Sequence, residues 1–181
     1  PMDSVIVLPG ESLQKGPEYD YVEEKTEYSY TNFFSGSLYL LGRTSSQKVT
    51  KSRPEATFWV ERRTWEYDDE LMLPTKITDF VGEKGSSKLR ETRLAYDGYG
   101  NVTSETSASY NSSAFIGDSY TYDESGRLML SHTDALGRTE TYSGHNKFGK
   151  PTSVTDDKGR VTQITYDEWG NEISRSYPEG S

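Results

Sequence analysis

Carboxylates, two histidines and a Ser-x-x-Lys string are the groups on this chain whose types could do chemistry. Twenty-nine Asp and Glu residues supply many facing pairs of the kind glycoside hydrolysis needs, yet nothing in their spacing selects one pair. His132 and His145 lie thirteen residues apart in a chain without cysteine, which matches no zinc spacing. Asp recurs beside Gly, as in Asp156-Asp157-Lys158-Gly159, but neither an EF-hand nor a glycine-rich calcium pattern is met. Ser45-Ser46-Gln47-Lys48 resembles a penicillin-recognising nucleophile motif, and its Ser-Asp-Asn and Lys-Thr-Gly companions are missing. The expectation is therefore a non-catalytic chain with no cofactor and no metal site. Among the aromatics, Trp59 and Trp65 are candidates for glycan-facing platforms. They sit in a segment whose odd-numbered residues from Thr57 to Tyr67 share one strand face, and that mixture of Trp, Tyr, Glu and Arg also suits a half-solvated sheet. Asn101-Val102-Thr103 and Asn111-Ser112-Ser113 are glycosylation sequons, meaningful only in a secreted eukaryotic setting.

The elements that would position such groups follow from a repeat. From residue 97 on, Asp or Asn, two tolerant residues, Gly, and then Arg, Lys or Asn recur six times. The units begin at Asp97-x-x-Gly100, Asp123-x-x-Gly126, Asp134-x-x-Gly137, Asn146-x-x-Gly149, Asp156-x-x-Gly159 and Asp167-x-x-Gly170, with glycine steps of 26, 11, 12, 10 and 11. A step near eleven is too short for a helix-containing repeat and suits one strand plus one turn. The turn chemistry agrees: Asx at the first position accepts from backbone two residues on, and Gly takes the left-handed conformation that closes a three-residue hairpin loop. Successive turns must fall on alternate sheet edges, giving an up-and-down ribbon with a structural period near 22 residues. Strands of six or seven residues, about 20 Å long, are expected between the turns. Tyr96, Tyr122 and Tyr166 precede the Asp in three units, where a ring can cover a neighbouring strand end while its hydroxyl stays wet.

Bulk composition fits a thin sheet. Only 31% of residues are apolar and the net charge is −9, but fourteen Tyr and three Trp bring buriable area that argues against disorder. Val5–Leu8 is the sole apolar run near the start and is far too short for a membrane span, so no membrane insertion by this segment is expected. An acidic surface argues against nucleic acid as a partner. Pro1 ahead of Met2 suggests a piece of a longer protein.

The strings Tyr96-Asp97-Gly98-Tyr99-Gly100-Asn101-Val102, Tyr122-Asp123-Glu124-Ser125-Gly126-Arg127-Leu128 and Tyr166-Asp167-Glu168-Trp169-Gly170-Asn171-Glu172 resemble the YD repeat of the RHS family, which includes bacterial Rhs proteins, toxin-complex B and C components, and teneurins. Upstream, Trp65-Glu66-Tyr67-Asp68 followed by Leu73-Pro74-Thr75-Lys76-Ile77-Thr78 is similar to a Tyr-Asp…Leu-Pro-Thr variant of it, and Tyr28-Ser29-Tyr30 leading to Tyr39–Arg43 resembles a segment of toxin-complex B components. The resemblance implies an all-β chain of tandem antiparallel hairpins forming a curved, up-and-down sheet, an arc of a larger β-shell. It further implies a secreted or cell-surface parent, with other repeats of that parent as partners and an enclosed toxin domain or a surface glycan as further ones. The family's Asp-Pro-x-Gly-Leu cleavage motif has no counterpart here. The organisation expected is an irregular leader over 1–24, divergent hairpin repeats over 25–95 and regular repeats over 96–181, with Val81–Ser87 as an exposed hairpin connection and 111–117 as either a decayed turn or an extended loop.

Overall fold

A computed structural model describes residues 5–8, 22–35, 38–53, 56–82 and 87–178. Those residues form thirteen strands and no helix. The strands are β1 (Val5–Leu8), β2 (Glu23–Ser35), β3 (Leu38–Arg53), β4 (Ala56–Tyr67), β5 (Pro74–Val81), β6 (Ser87–Tyr96), β7 (Val102–Ser109), β8 (Ile116–Tyr122), β9 (Met129–Thr133), β10 (Thr139–Ser143), β11 (Ser153–Thr155), β12 (Val161–Tyr166) and β13 (Glu172–Ser176). Strand order in the sheet follows the chain, so each strand hydrogen-bonds its neighbours in sequence, and the fold is all-β and built of tandem hairpins. Among the described residues no helix is long and apolar enough to cross a membrane.

The chain divides into two compact units. One comprises residues 1–93 and 107–115, the other 94–106 and 116–181. In the first unit strands are long: β2 has 13 residues, β3 has 16 and β4 has 12. Their pairing is interrupted by register shifts at Ser29/Tyr30, Thr31/Phe33 and Lys51/Ser52, each a point where an extra residue re-aims the strand. Of the expected leader, Val5–Leu8 pairs antiparallel with Thr26–Ser29 and residues 22–24 are described; the rest of 1–24 lies outside the described residues. The connection expected at Val81–Ser87 joins β5 to β6 with Val81 opposite Ser87, and its residues 83–86 also lie outside them.

In the second unit β9 to β13 run for only three to six residues. β12, with six residues, meets the expected six or seven; β9, β10, β11 and β13 are shorter, because a turn that closes on the carbonyl of its fifth residue, or its sixth at Asp123, leaves five to seven residues before the next and not all of them pair. The segment 110–115 between β7 and β8 has no left-handed glycine and connects the strands as an extended loop opened by Ser112 N–H bonding Ser109 O. Gly117 lies inside β8, where a methyl group would overlap the backbone of Glu105 and Thr106 on β7.

Neither unit has a thick interior. Val60, Met72 and Ala108 are the buried apolar side chains of the first unit, with Thr78, Glu91 and Thr92 buried beside them; Ile164 is the one in the second, all among the described residues. Tyrosines supply the rest as half-buried faces, and here one expectation is corrected. Two of the three hydroxyls before the turns are not left to water: Tyr122 donates to Val102 O at 3.1 Å and Tyr166 to Pro151 O at 2.9 Å. Tyr67 does the same in the first unit, donating to Thr44 O at 2.6 Å. Val102 and Pro151 lie at or just before a strand's start and Thr44 beside the register shift within β3, places where ladder pairing is broken, and a phenol of the right length reaches such a carbonyl; each bond contributes about 1 kcal/mol.

Candidate functional site

Each Asx-x-x-Gly tetrad closes by two backbone bonds. At Asp134, its N–H donates to Arg138 O at 3.0 Å and Gly137 N–H donates to Asp134 O at 2.9 Å. The tetrads at Asp97, Asn146, Asp156 and Asp167 repeat this pair, with the fifth-residue acceptors Asn101, Lys150, Arg160 and Asn171. The Asp123 turn is one residue longer, its amide reaching Leu128 O. All six glycines, Gly100, Gly126, Gly137, Gly149, Gly159 and Gly170, have φ between +68° and +86°, the left-handed region that a side chain disfavours. The Asx side chain completes the loop. Asp134 Oδ1 accepts from Leu136 N–H at 2.9 Å and Arg138 N–H at 3.0 Å, and Asn146 Oδ1 accepts likewise from Phe148 and Lys150.

Hydrogen bonds to a carboxylate favour its charged form, and this sets the electrostatics of the row. The Asp97 carboxyl is held below the ordinary range by the Asn101 side chain and the Asn101 and Tyr99 amides, Asp134 by Arg138, Asp156 by the Arg160 amide and guanidinium, and Asp167 by Asn171. Asp123, bonded by the Ser125 hydroxyl and the Leu128 and Arg127 amides, is lowered to about 2. Carboxyls so committed are poor proton donors at neutral pH, which is what an acid catalyst would have to be.

A seventh turn of the same kind lies in the first unit, with no glycine to announce it. Asp68 N–H bonds Leu73 O at 2.9 Å and its Oδ1 accepts from Glu70 and Leu71; with one residue more ahead of its left-handed position than the tetrads have, the fifth residue, Met72, takes φ +55° and its N–H bonds Asp68 O at 3.0 Å. Met72 is 2% exposed, so burial of its side chain offsets the backbone cost of about 1–2 kcal/mol. Tyr67-Asp68 is the sequence signal for it; the αL methionine has none.

Alternate turns of the second unit share an edge, and on one edge they contact each other. The Tyr99 ring lies over Gly126 so closely that a methyl group there would overlap it; its hydroxyl donates to Glu124 O at 2.9 Å, and Asn101 Nδ2 donates to Gly126 O at 2.7 Å. Two turns on, a Cβ at Gly170 would stand 2.9 Å from Phe148 Cδ2, and Lys150 Nζ donates to Gly170 O at 2.6 Å. Between them Ser125 stands where the ring would be, and Leu128 covers Gly149 instead, 3.3 Å from where a Cβ would be. The third-position aromatics and fifth-position donors are the signal that sequence reasoning missed, since their role appears only once alternate turns are known to be adjacent. Asn101 also bears a sequon, and both its amide hydrogens are committed, to Asp97 Oδ2 and Gly126 O.

The two tryptophans part company. Trp59, 38% exposed, donates from Nε1 to Glu61 Oε1 at 2.8 Å and lines an open groove of about 760 Å³ with Gln47, Arg63, Asp79 and Arg90. Trp65 is half-buried and is not among that groove's lining residues. Across the groove floor Asp79 is held between Arg63 Nε at 2.6 Å and Arg90 Nη2 at 3.0 Å; its partial burial acts to raise the carboxyl's pKa, and the two guanidinium groups outweigh it and lower it. Arg62 and Phe80 line the same groove, the guanidinium 4.3 Å from the ring centre. The histidines are occupied separately, His132 Nε2 with Asp118 Oδ2 at 2.9 Å and His145 Nε2 with Met129 O at 3.1 Å.

No curated protein matches the chain. Residues 145–181, which hold the turns at Asn146, Asp156 and Asp167, match the family model described as RHS Repeat. The same five-residue turn recurs upstream at Asp97 and Asp134 and closes one residue later at Asp123, so the turns outside the matched segment are built like those within it, and the match supports a relation to the RHS/YD-repeat family.

Proposed function

We propose that the chain is a non-catalytic structural segment of an RHS/YD-repeat protein, a stretch of β-wall that encloses or displays a toxin or effector domain in a secreted or cell-surface setting. The observation that carries this is the way each turn consumes its own chemistry. Carboxylates and cations are spent on backbone amides, carbonyls and each other, and short strands over a thin core depend on the neighbouring hairpin for burial. A wall of this kind gains stability with each repeat added rather than from one interior. Electron microscopy of the natural full-length protein tests it: a hollow β-walled body is expected, and a solid or extended particle would overturn the reading.

A second reading, a glycan-binding or adhesion surface, is favoured by one feature, the Trp59 groove, where an indole face stands beside Gln47 and the Arg63–Asp79–Arg90 ladder. An aromatic face covers the apolar side of a pyranose while such polar groups take its hydroxyls. On a glycan array the intact chain is expected to bind and Trp59→Ala to lose the signal, with Trp65→Ala retaining most of it; silence of the intact chain removes the reading.

A further inference from the structure

The same edge of the second unit presents a docking position of known chemistry with no occupant among the described residues. Trp169 is the third residue of its turn, as Tyr99 and Phe148 are of theirs, and it is 84% exposed. Asn171 is the fifth residue, as Asn101 is. Asn101 spends one amide hydrogen on its own Asp97 and the other on the carbonyl of Gly126 in the next turn. Asn171 makes the first bond, to Asp167 Oδ2 at 2.9 Å, and among the described residues its second hydrogen has no acceptor. The strand that follows, β13, is exposed along its length, with Ile173 within it 66% exposed and Tyr177 just after it 65% exposed.

We infer that Trp169 and Asn171 form a receptor for the turn of a further β-hairpin of the Asx-x-x-Gly class, with the indole lying over that turn's glycine and the Asn171 amide bonding the glycine carbonyl. The glycine is required twice over. Its left-handed backbone orients the carbonyl toward the donor, and the absent Cβ lets the ring approach, as at Gly126 and Gly170. Discrimination is therefore steric and hydrogen-bonded together: a hairpin whose turn lacks the glycine both strikes the indole and leaves Asn171 without its acceptor. The spacing within the edge fixes where such a turn sits when it is covalently continuous, because Gly126, Gly149 and Gly170 follow one another by 23 and 21 residues. This deepens the wall reading by naming the contact that propagates it, yet it rests on turn geometry alone and stands or falls independently of whether the wall closes into a shell.

The test uses the full chain with a second copy of residues 156–177 inserted after Tyr177, the copy carrying Phe in place of its Trp169 so that the receptor indole is the reporter. Tethering keeps the hairpin at high effective concentration. Acrylamide quenching, assigned to Trp169 by its loss in Trp169→Phe of the original turn, should fall to that of a covered indole, and the urea midpoint should rise. Placing Gly170→Asn in the copy alone keeps a residue that tolerates the left-handed backbone while adding a Cβ; Trp169 should then stay accessible. Asn171→Ala in the original turn should lower the midpoint of the extended chain more than that of the parent chain. Equal protection by the glycine and asparagine copies would overturn the proposal. So would an accessible Trp169 in the glycine copy, whether amide exchange shows the copied strands paired or unpaired. The hollow-body experiment has no bearing on these outcomes, so the two readings fail separately.

Discussion

The two edges of the regular hairpin ladder are made from the same turn and use it differently. On the edge holding the turns at Asp97, Asp123, Asn146 and Asp167, the third and fifth residues reach to the next turn: Tyr99 and Asn101 to Gly126, Phe148 and Lys150 to Gly170. On the edge holding Asp134 and Asp156, the fifth residue is arginine and folds back on its own turn. Arg138 closes on Asp134 Oδ2 through Nε and Nη2 at 2.7 and 2.6 Å, and Arg160 on Asp156 Oδ2 at 2.7 Å through both nitrogens. Nothing lies within 4 Å of a Cβ at Gly137 or Gly159. One edge thus stacks its turns and the other leaves each turn self-contained. What separates them is whether the fifth residue bonds inward or across, and whether the third is a ring.

The largest expected effect breaks that difference at the glycines. Gly159→Ala puts an alanine at φ +77° with open space around it, so its cost is the left-handed backbone alone, about 1–2 kcal/mol. Gly126→Ala adds the displacement of the Tyr99 ring, a further ~1–3 kcal/mol of overpacking. Urea denaturation should rank Gly126→Ala well below Gly159→Ala in midpoint. Tyr99→Ala together with Gly126→Ala should recover the part due to the clash; equal midpoints for the two single variants would show that the stacking carries no energy.

Next in size is the donor. Asn101→Ala removes the bond to the Gly126 carbonyl and the side-chain bond to Asp97 Oδ2, while the backbone bonds of its own turn remain. A loss of about 1 kcal/mol is expected from the cross-turn bond. Amide exchange should quicken at the Asp123 turn as well as at the Asp97 turn, which an effect confined to one turn would not produce.

How much of this was readable beforehand divides along the same line. The turns were legible because Asx and Gly act on their own backbone, within five residues, and local chemistry leaves a local trace. The cross-turn contacts were not, because they join residues some twenty-five apart through a register that only pairing fixes: Tyr99 looks like any tolerant turn residue until Gly126 is beneath it. The Asp68 turn was half legible. Its Tyr-Asp is in plain view, but Met72 in place of glycine hides the loop, and only burial explains why methionine is tolerated there. Trp59 and Trp65 look equivalent as sequence, since both are odd-numbered on β4; the groove formed by Asp79 and Arg90 from later strands separates them. Strand length is legible at β12, which starts right after its turn's fifth residue, and not at β9, where Arg127 and Leu128 belong to the longer Asp123 turn.

Acid acts on both edges, and most on one turn of the stacking edge. Asp123 has its carboxyl lowered to about 2, below the ordinary value near 3.8, so the native state binds that proton less readily than the unfolded chain. Its contribution is complete above the unfolded value and is lost as pH falls from about 4 through about 2. Asp123→Asn keeps an acceptor oxygen without a titrating group, as Asn146 does in the next turn of the same edge, and should shallow the acid limb of the midpoint-against-pH curve over that window. An unchanged slope would mean the Ser125, Arg127 and Leu128 donors do not hold the carboxylate in solution.

The smallest effect belongs to the self-contained edge. Arg138 has a side chain 63% exposed, and its pairing with Asp134 lies in solvent that screens it. Arg138→Ala should therefore shift the urea midpoint less than Asn101→Ala, although both remove the side chain of a fifth residue. The Asp134 carboxylate keeps the Leu136 and Arg138 backbone amides in the variant, so its pKa stays lowered, though less so, because the guanidinium is the largest cause of the shift. Raising the salt concentration should bring wild type and Arg138→Ala together while leaving most of the Asn101→Ala gap in place, because the Asn101 amide carries no net charge and its cross-turn acceptor, the Gly126 carbonyl, is neutral. Should salt instead close the Asn101 gap and spare the Arg138 one, the assignment of stacking to one edge and self-closure to the other would have to be exchanged.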